Sequence, residues 1–352
     1  MRRALRLARR GAGRASPNPM VGAVVVRDGE IVGEGYHVFS RRHHAEIMAL
    51  QKAGERTRGA DLYLTLEPCC HSGRTPPCVQ EIMRAGVKAV YVATRDPNPR
   101  VNGKGIERLE EVGIEVFEGL CESEATRLNE PFFHLVRTGK PLVTLKLALS
   151  LDGRIATRTG FSKWITGGKA RRVVHRIRYE HDAILVGIGT VAQDNPSLDV
   201  RGRRKNRIVK MVLDSELRTD PEARLFQSRD PVVIFHSEKV SKAGFRRLSQ
   251  AAELVGVARG SDGLQWQEIL KETGRRGLNS LLIEGGGTVA ASALRAGAVQ
   301  RMLLFYAPRI IGGDGLPGFG PLGVESLEKA FRVDLTRIRR LGEDFLLEAR
   351  LD

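Results

Sequence analysis

The sequence contains few cysteines, few aromatic residues and no long apolar run. Four cysteines occur in 352 residues, three of them within ten positions, which does not fit the disulfide framework of a secreted protein. We therefore expect a reducing, cytoplasmic location. No run of 18 apolar residues occurs, so no membrane-spanning helix is predicted. The basic start, residues 1–10, has no apolar signal core and is predicted to form a helix with Ala4, Leu5 and Ala8 facing inward.

Acidic residues are outnumbered by basic ones, 41 against 57, and the formal net charge is +16. Such an excess is typical of nucleic-acid binding, of heavy use of surface ion pairs, or of small phosphorylated ligands. The basic residues are spread through both halves, with one cluster at residues 201–205 and no long basic tail. Aromatic residues make up only 5% of the chain and form no series on which bases could stack. We therefore favour small anionic ligands over nucleic acid.

Two short segments carry the residues of a metal site. His44-Ala45-Glu46 is followed by Pro68-Cys69 and, nine positions after Cys69, by Cys78. Zinc in catalysis typically takes three protein ligands and leaves the fourth position to water. His44, Cys69 and Cys78 supply such a set, which leaves Glu46 free to move protons beside the metal. This pattern is typical of zinc-dependent deaminases, although their two cysteines usually lie only three positions apart.

Two neighbouring residues complicate the ligand assignment. His43 adjoins His44, but only His44 stands two positions before Glu46. Cys70 adjoins Cys69, but only Cys69 follows a proline that can open a helix in its first turn. The alternative is that these are unrelated core residues, and their clustering within 35 positions between turn-forming residues argues against it.

The length suits two domains, with a predicted boundary at residues 137–141 that gives residues 1–140 and 141–352. Strands alternate with helices in both halves, which predicts α/β folds and a mostly parallel sheet in the first. In the first half, strands are predicted at residues 21–26, 30–35, 60–66, 87–93 and 114–117, and helices at 44–53, 79–85, 105–112 and 120–136. In the second half, strands are predicted at residues 142–149, 183–187, 208–213, 232–235, 280–283, 301–307 and 344–349, and helices at 169–180, 238–252, 264–273 and 289–296.

A strand that runs into glycines marks a second candidate site. Residues 283–288, Ile-Glu-Gly-Gly-Gly-Thr, precede a predicted helix. Backbone N–H groups at such a helix start can hold a phosphate, and glycine allows its close approach. A tight turn without a ligand is the alternative. Gly187-Ile188-Gly189 also follows a strand, but a lone G-x-G pattern is weak evidence.

In this order, the motifs resemble those of the bifunctional deaminase/reductase family of bacterial riboflavin biosynthesis, over essentially the whole chain. The resemblance implies a zinc-dependent cytidine-deaminase-like N-terminal domain, residues 1–140, and a dihydrofolate-reductase-like, NADPH-dependent C-terminal domain, residues 141–352. In the first half it rests on residues 17–22, 44–46 and 67–78. In the second half it rests on residues 146–153, 162–166, 187–191, 213–215, 284–287 and 312–315.

The resemblance implies two consecutive reactions. The first domain would hydrolyse the 2-amino group of 2,5-diamino-6-(5-phosphoribosylamino)pyrimidin-4(3H)-one and release ammonia. The second would use NADPH to reduce the ribosyl side chain to ribityl. The implied cofactors are one Zn²⁺ per chain and NADPH. The implied partners are small phosphorylated pyrimidines, with no specific nucleic acid and no membrane, and the chain is expected to form a homo-oligomer.

The same resemblance assigns roles to individual positions. Glu46 would be the catalytic residue, and His44, Cys69 and Cys78 the zinc ligands. The implied substrate contacts are Ser162, Arg178, Leu198, Arg201 and Glu284. The implied cofactor contacts are Ala148, Trp164, Thr190, Asp194, Ser215, Gly286, Gly287, Thr288, Val289, Ala290, Ala291 and Ser292. Arg178 and Arg201 are expected to clamp the ribose phosphate bidentately.

Two departures from the family pattern and two competing hypotheses remain. Cys70 stands where the family usually has serine, and Asn195 stands where a second aspartate usually follows Asp194. An RNA adenosine or cytidine deaminase with an accessory domain would explain the charge but not the glycine-rich second half. A catalytically inactive binding protein is the other hypothesis, and the intact Glu46 argues against it.

Overall fold

The protein is described here by a computed structural model that covers residues 1–41, 43–71, 76–200 and 208–351. The chain divides into two units, Met1–Gly139 and Lys140–Asp352, which we call unit 1 and unit 2. None of the described helices is long and apolar enough to cross a membrane. Each unit has its own sheet and its own apolar core.

Unit 1 is a five-stranded sheet with flanking helices. Its elements are α1 Arg2–Ala8, β1 Gly22–Arg27, β2 Glu30–Tyr36, α2 Ala45–Ala53, β3 Asp61–Leu64, α3 Cys78–Ala85, β4 Ala89–Val92, α4 Lys104–Glu110, β5 Glu115–Glu118, α5 Glu122–Leu128 and α6 Glu130–Thr138. The strand order is β2-β1-β3-β4-β5. Strand β1 runs antiparallel to both neighbours, whereas β3, β4 and β5 are parallel. Because β2 and β3 both run opposite to β1, four of the five strands point the same way, and the expectation of a mostly parallel sheet holds apart from β1.

The hairpin and the first helix of unit 1 form as predicted. Asp28 and Gly29 have φ angles of 52° and 80°, which suits the two-residue turn that joins twisted antiparallel strands. Ala4, Leu5 and Ala8 are buried on the inner side of α1. These contacts confirm the predicted helix at the start of the chain.

Two glycines of β2 let α2 lie directly against the sheet. A Cβ atom on Gly33 would lie 2.1 Å from the carbonyl oxygen of Ala49, and one on Gly35 would lie 2.0 Å from that of Ala45. Any side chain at these positions would push the helix away. The close contact fixes the start of α2, where His44 and the first helical turn carry residues of the predicted metal site.

The predicted helix at residues 120–136 was wrong in one respect, because the structure has two helices there. The break is at Asn129, whose φ and ψ of −104° and 15° leave the helical region. Its side-chain amide accepts a hydrogen bond from the Met20 N–H at 2.7 Å and donates one to the Met20 carbonyl at 2.9 Å. Pro131 then occupies the first turn of α6, where a residue without an N–H group is tolerated.

Unit 2 is built on a nine-stranded sheet in the order β11-β10-β9-β8-β14-β6-β15-β18-β17. The strands of this sheet are β6 Leu142–Ser150, β8 Ala183–Gly187, β9 Val209–Leu213, β10 Val232–Ser237, β11 Glu253–Val257, β14 Ser280–Glu284, β15 Arg301–Ala307, β17 Asp334–Leu341 and β18 Asp344–Arg350. Two short pairs lie outside it, β7 Arg154–Ala156 with β16 Leu316–Pro317 and β12 Arg259–Gly260 with β13 Gly263–Leu264. The helices of unit 2 are α7 Gly168–Glu180, α8 Ile188–Asp194, α9 Lys242–Leu248, α10 Trp266–Arg275 and α11 Gly287–Arg295.

The large sheet is parallel from β11 to β15 and is covered on both faces. In β8, Ala183 and Leu185 belong to one apolar core cluster, and Ile184 and Val186 belong to the other. Alternate residues of a strand point to opposite faces, so the continuous apolar run in β8 reflects burial on both sides. The carboxyl ends of β6, β8, β9 and β14 therefore meet at one edge, where ligands bind in such folds.

The sequence prediction differed from unit 2 in several elements. The short helix α8, the strand β11 and the two- and three-residue strands β7, β12, β13 and β16 were missed, and the helix predicted at residues 238–252 is only Lys242–Leu248. That helix begins late because the Ser241 hydroxyl accepts the Gly244 N–H and caps it. Strand β17 was missed because most of its residues are exposed, so it lacks apolar alternation.

Candidate active sites

Three potential metal ligands converge in unit 1. His44 caps the N-terminus of α2, Cys69 lies in the irregular segment after β3, and Cys78 is the first residue of α3. Their ligand atoms all lie within 4.8 Å of one another. His44 Nδ1 is 3.0 Å from Cys78 Sγ and 3.7 Å from Cys69 Sγ. These separations fit one tetrahedral ion with a metal–nitrogen bond of about 2.0 Å and metal–sulfur bonds of about 2.3 Å.

The two thiols lie close enough to shift each other's pKa. The hydrogen bond between them lowers the pKa of Cys69 to about 4 and raises that of Cys78 well above its usual range. A bound cation would hold both as thiolates, because a coordinating thiol is deprotonated. Two thiolates and one imidazole form a donor set that zinc prefers.

Glu46 lies beside these ligands in the first turn of α2. Its side chain is only 4% exposed, and among the described residues its Oε2 atom has no hydrogen-bond partner. Burial raises the pKa of this carboxyl group. A buried carboxylate oxygen without a partner costs free energy, and such strain is typical of groups that exchange protons with a ligand. The geometry therefore suits Glu46 to general acid–base chemistry.

Glu67 holds the segment that carries Cys69, a role that was not predicted from the sequence. Its carboxylate accepts backbone N–H bonds from Asp96 at 3.2 Å, Gly103 at 3.0 Å and Gly105 at 3.0 Å. These bonds tie the chain before Cys69 to the start of α4. The sequence feature that could have indicated this role is the position of Glu67 at the end of a predicted apolar strand, next to Pro68-Cys69.

His43 and Cys70, the two neighbouring residues that could have been ligands, are not part of the candidate metal cluster. His43 is exposed, and the metal-ligand cluster contains His44 instead. Cys70 is buried in the apolar core, and its thiol donates to the Arg100 carbonyl at 3.5 Å. Cys69 does not open a helix, contrary to the prediction from Pro68. The helix begins at Cys78, because Pro77 is its N-cap residue.

A buried charged cluster lies in unit 2, where β14 ends. Arg178 donates to both carboxylate oxygens of Glu284, from Nε at 2.6 Å and from Nη2 at 2.8 Å. Lys146 Nζ on β6 lies 3.9 Å from the same carboxylate. Burial alone would raise the pKa of Glu284, but the charges of Arg178 and Lys146 lower it to about 2. Glu284 is thus ionised in the core of the unit.

The structure pairs Arg178 with Glu284, and the guanidinium fork faces that carboxylate. The expected contact of Arg178 with the ribose phosphate stays a prediction. Arg201, the other expected phosphate clamp, lies outside the described residues. Lys146 was missed because a single lysine in the predicted strand at residues 142–149 gives no sign of its partner.

The predicted glycine turn lies at the N-terminus of α11. Gly285 and Gly286 have φ angles of 94° and 79°, which residues with a Cβ atom rarely adopt. A Cβ atom on Gly287 would lie 2.4 Å from the Pro317 carbonyl oxygen. Thr190 Oγ1 lies 3.4 Å from the place of a Cβ atom on Gly285. A bare backbone at a helix start fits the pyrophosphate of a dinucleotide cofactor such as NADPH.

Other predicted contacts of unit 2 lie on separate elements. Ser162 Oγ donates to Asp194 Oδ1 at 2.8 Å, so these two predicted residues are brought together at the end of α8. Trp164 is 60% exposed, and the Arg171 guanidinium lies 4.5 Å from its ring centroid. The remaining predicted contacts are Ala148 on β6, Leu198 in the loop after α8, Ser215 directly after β9, and Thr288, Val289, Ala290, Ala291 and Ser292 on α11.

Comparison with known proteins covers both units. The family model of the cytidine and deoxycytidylate deaminase zinc-binding region matches residues 1–94, and that of the RibD C-terminal domain matches residues 141–347. The riboflavin biosynthesis protein RibD of Aquifex aeolicus is 43% identical over 349 residues, covering 99% of this chain and 96% of the relative. That of Escherichia coli is 39% identical over 360 residues, covering 99% of this chain and 97% of the relative.

Solved structures of the same family also match the whole chain. A diaminohydroxyphosphoribosylaminopyrimidine deaminase/5-amino-6-(5-phosphoribosylamino)uracil reductase of Thermotoga maritima matches with a TM-score of 0.88 and 37% identity. The match covers 100% of this chain and 97% of that chain. RibD of Acinetobacter baumannii matches with a TM-score of 0.91 and 34% identity, with the same coverage of both chains.

The two units and their matches define a fused enzyme, with a cytidine-deaminase-like N-terminal domain and a dihydrofolate-reductase-like C-terminal domain. The chain belongs to the RibD family of riboflavin-biosynthesis proteins, which are bifunctional deaminases and reductases that use zinc and NADPH. The resemblance inferred from the motifs is thereby confirmed.

Proposed function

We propose that residues 1–140 deaminate the substrate and that residues 141–352 reduce the product of that step. The substrate would be 2,5-diamino-6-(5-phosphoribosylamino)pyrimidin-4(3H)-one, and its ribosyl group would become ribityl in the second step. The observation that carries the first step is the convergence of His44, Cys69 and Cys78 beside the buried, partnerless Oε2 of Glu46. The glycine-lined start of α11 supports the second step.

In the deaminase, His44, Cys69 and Cys78 would hold zinc, and Glu46 would handle protons. Zinc at such a site supplies an activated water as the nucleophile. Glu46 would accept a proton at Oε2 from the attacking water and deliver it to the departing amine. Because Glu46 sits on the rigid first turn of α2, its carboxylate stays close to the reacting atoms.

In the reductase, the protein would position the substrate against the cofactor, which supplies the hydride. The proposed cofactor contacts are those on α11 and at Ala148, Trp164, Thr190, Asp194 and Ser215. The proposed substrate contacts are Ser162, Arg178, Leu198, Arg201 and Glu284. Within this set, Arg178 would act through Glu284, since the two side chains form one buried ion pair.

Two assays of the purified chain test this function separately. We expect ammonia release from the diamino substrate without NADPH, and oxidation of NADPH, followed by its ultraviolet absorbance, only when the deaminated pyrimidine is added. NADPH oxidation with the diamino compound under conditions that block deamination would contradict the proposed order of steps. Absence of ammonia release from a zinc-loaded, folded protein would contradict the proposed deaminase.

Zinc content provides a direct test of the ligand set. We expect about one zinc per purified chain and a large loss in Cys78→Ser, because a three-ligand site has no spare donor. Cys70→Ser is the matched control, since it changes an adjacent thiol that bonds to the Arg100 carbonyl. Metal analysis of both variants is the measurement. Full zinc in Cys78→Ser together with loss in Cys70→Ser would show that the assignment is wrong.

Specific nucleic-acid binding is not part of the proposed function. Despite a net charge of +16, we expect only weak, salt-sensitive binding of RNA, because small phosphorylated ligands account for basic residues in such an enzyme. The RNA-deaminase alternative is not favoured, since the full-length relatives are riboflavin-biosynthesis proteins. The test is RNA binding and RNA deamination near physiological salt. Tight binding with deamination of a structured RNA would favour the alternative.

We also propose that the chain forms a homo-oligomer in the cytoplasm. Strand β17 ends the described sheet of unit 2, and Leu335 and Ile338 on it are 47% and 59% exposed. Exposed apolar residues on an edge strand are typical of a surface that pairs with another chain. Cys69 and Cys78 belong to the proposed zinc set, and clustered cysteines that bind metal are typical of proteins in a reducing compartment. In sedimentation velocity we expect a species heavier than the 38.8 kDa single chain, and a species of that mass alone would contradict the proposal.

A further inference from the structure

A lysine is completely buried in the middle of the unit 2 sheet. Lys210 lies on β9 between β8 and β10, and its side chain has no exposed area. Fully buried lysines are rare because the ammonium group loses its hydration, so they require partners that replace water. The residues around it on β9 are apolar. The Lys210 ammonium group therefore needs hydrogen-bond acceptors inside the unit.

The Lys210 ammonium group is enclosed by four oxygen acceptors from two loops. On one side, Nζ donates to the Ser197 carbonyl at 2.6 Å and to Asp199 Oδ1 at 2.8 Å. On the other side, it lies 3.1 Å from the Leu225 carbonyl and 2.9 Å from Ser228 Oγ. An ammonium group has three N–H donors, so these acceptors saturate it. One buried cation thus fixes the loop after α8 to the segment at residues 224–228.

Leu198, between the two Lys210 partners of the first loop, has an unfavourable backbone conformation. Its φ angle is 55°, and its side chain is only 2% exposed. A branched residue rarely adopts the left-handed region, and it stays there only where surrounding contacts over-determine the backbone. Bonds from Lys210 to Ser197 and Asp199 provide this restraint on both sides of Leu198.

The same loop contacts the buried charged cluster of the proposed reductase site. The Asp199 carbonyl oxygen accepts a hydrogen bond from Arg178 Nη1 at 3.3 Å. Arg178 in turn forms the bidentate pair with Glu284. A continuous set of contacts therefore runs from Lys210 through Asp199 to Arg178 and Glu284.

We propose that Lys210 is a positioning residue of the reductase site, whose ammonium group holds the segment from Ser197 to Asp199 in register with Arg178 and Glu284. Lys210 itself touches neither substrate nor cofactor. The inference rests on the proposed function, because it takes Leu198, Arg178 and Glu284 as substrate contacts. Its specific consequence is that the loss of Lys210 weakens substrate binding in the reductase and leaves deamination unchanged.

The main test compares Lys210→Met with Lys210→Arg in the full-length protein. Methionine preserves the length of the side chain but removes the cation, whereas arginine retains a charge and several donors. We expect Lys210→Met to raise the KM of reduction by about 10- to 100-fold, because small misplacements of a site have effects of this size. Lys210→Arg should recover much of this loss. Deamination by unit 1 is the internal control for the enzyme concentration, and the fluorescence of Trp164 and Trp266 checks that unit 2 is folded.

A second pair of variants covers the case in which Lys210→Met does not fold. Asp199→Ala and Ser228→Ala each remove one partner of the same ammonium group, but only Asp199 belongs to the loop that meets Arg178. We expect a raised KM in Asp199→Ala and an unchanged KM in Ser228→Ala. A purely structural role would instead lower the folded fraction, and so the apparent kcat, in both variants without a change of KM. That outcome would overturn the proposal.

Hydrogen exchange separates this proposal from the proposed function. In Lys210→Met, or in Asp199→Ala if the former is unfolded, amides at residues 197–200 should exchange faster, while those of β8 stay protected. This measurement needs no substrate. If the unaltered chain fails to reduce the deaminated pyrimidine, the proposed reductase function is wrong, whereas unchanged exchange at residues 197–200 would show that Lys210 does not position the loop.

Discussion

Replacing Glu46 with glutamine should nearly abolish deamination while the zinc remains bound. The substitution keeps the size of the side chain but removes the carboxylate that would carry the proton. Loss of general acid–base catalysis typically lowers a rate by about 10²- to 10⁴-fold. The burial of Glu46 and its partnerless Oε2 place this variant at the upper end of that range. Ammonia release, measured with the diamino substrate in excess, gives the kcat of the variant.

Zinc content and reductase activity are the two controls for the Glu46→Gln variant. Its zinc content should match that of the unaltered chain, since His44, Cys69 and Cys78 remain. Reduction of the already deaminated pyrimidine should continue at close to the normal rate, because the proposed reductase contacts lie in unit 2. Loss of that reduction in a folded variant would contradict the assignment of one activity to each unit. Deamination at a normal rate would exclude Glu46 as the proton carrier.

The clustering of the candidate metal ligands was predictable because these residues are close in sequence and chemically specific. His44, Glu46, Cys69 and Cys78 span 35 residues, and few other roles require that combination. What the sequence did not reveal was how the ligands are held. Glu67 accepts N–H groups that lie 29 to 38 positions away, and backbone donors carry no sequence signal. The role of Glu67 became visible only when its partners could be located in space.

The fold was predictable where burial dominates and less so at exposed elements. Strand β8 and the centre of β14, residues 281–283, are apolar because both faces are covered, and both strands were found. The break between α5 and α6 was missed because it depends on the contact of Asn129 with Met20, 109 positions away. Local propensity cannot predict such a tertiary bond.

In the unit 2 site, too, the contacts that join residues far apart in the sequence could not be predicted. Arg178 and Glu284 are 106 positions apart, and the resemblance indicated that both belong to the site but not that they bind each other. Lys210 was predicted only as one residue of the strand at 208–213, whereas the structure surrounds its ammonium group with four acceptors. Charges inside a predicted core strand are therefore useful indicators of hidden partners.

Replacing Arg178 with methionine should destabilise unit 2 and abolish reduction. The change leaves Glu284 buried without its bidentate partner, and Lys146, 3.9 Å away, replaces only part of the lost interaction. Removing one partner of a buried ion pair typically costs about 3–5 kcal/mol. Both tryptophans of the chain, Trp164 and Trp266, lie in unit 2, so tryptophan fluorescence during urea unfolding reports on this unit alone.

The double variant Arg178→Met/Glu284→Gln is the matched control. It removes both charges of the bidentate pair, and replacing a buried pair with neutral residues is often close to neutral for stability, but it also takes the nearby carboxylate away from Lys146. We therefore expect part of the lost stability to return while reduction remains absent, because both proposed substrate contacts are gone. Recovery of reduction in the double variant would contradict their role in the site. Equal destabilisation of the single and double variants would show that the unpaired carboxylate of Glu284 was not the main cause.

The pH dependence of this destabilisation follows from the lowered pKa of Glu284. Burial opposes ionisation, but Arg178 and Lys146 bring the pKa from 4.5 to about 2 in the folded unit. A depressed carboxyl pKa contributes stability that is fully present above the unfolded value and is lost as the pH falls through the folded value. The difference between the unaltered chain and Arg178→Met should therefore be largest near neutral pH and should shrink between about pH 4.5 and pH 2. A difference that stays constant over this range would mean that Arg178 stabilises unit 2 through packing and not through the charge of Glu284.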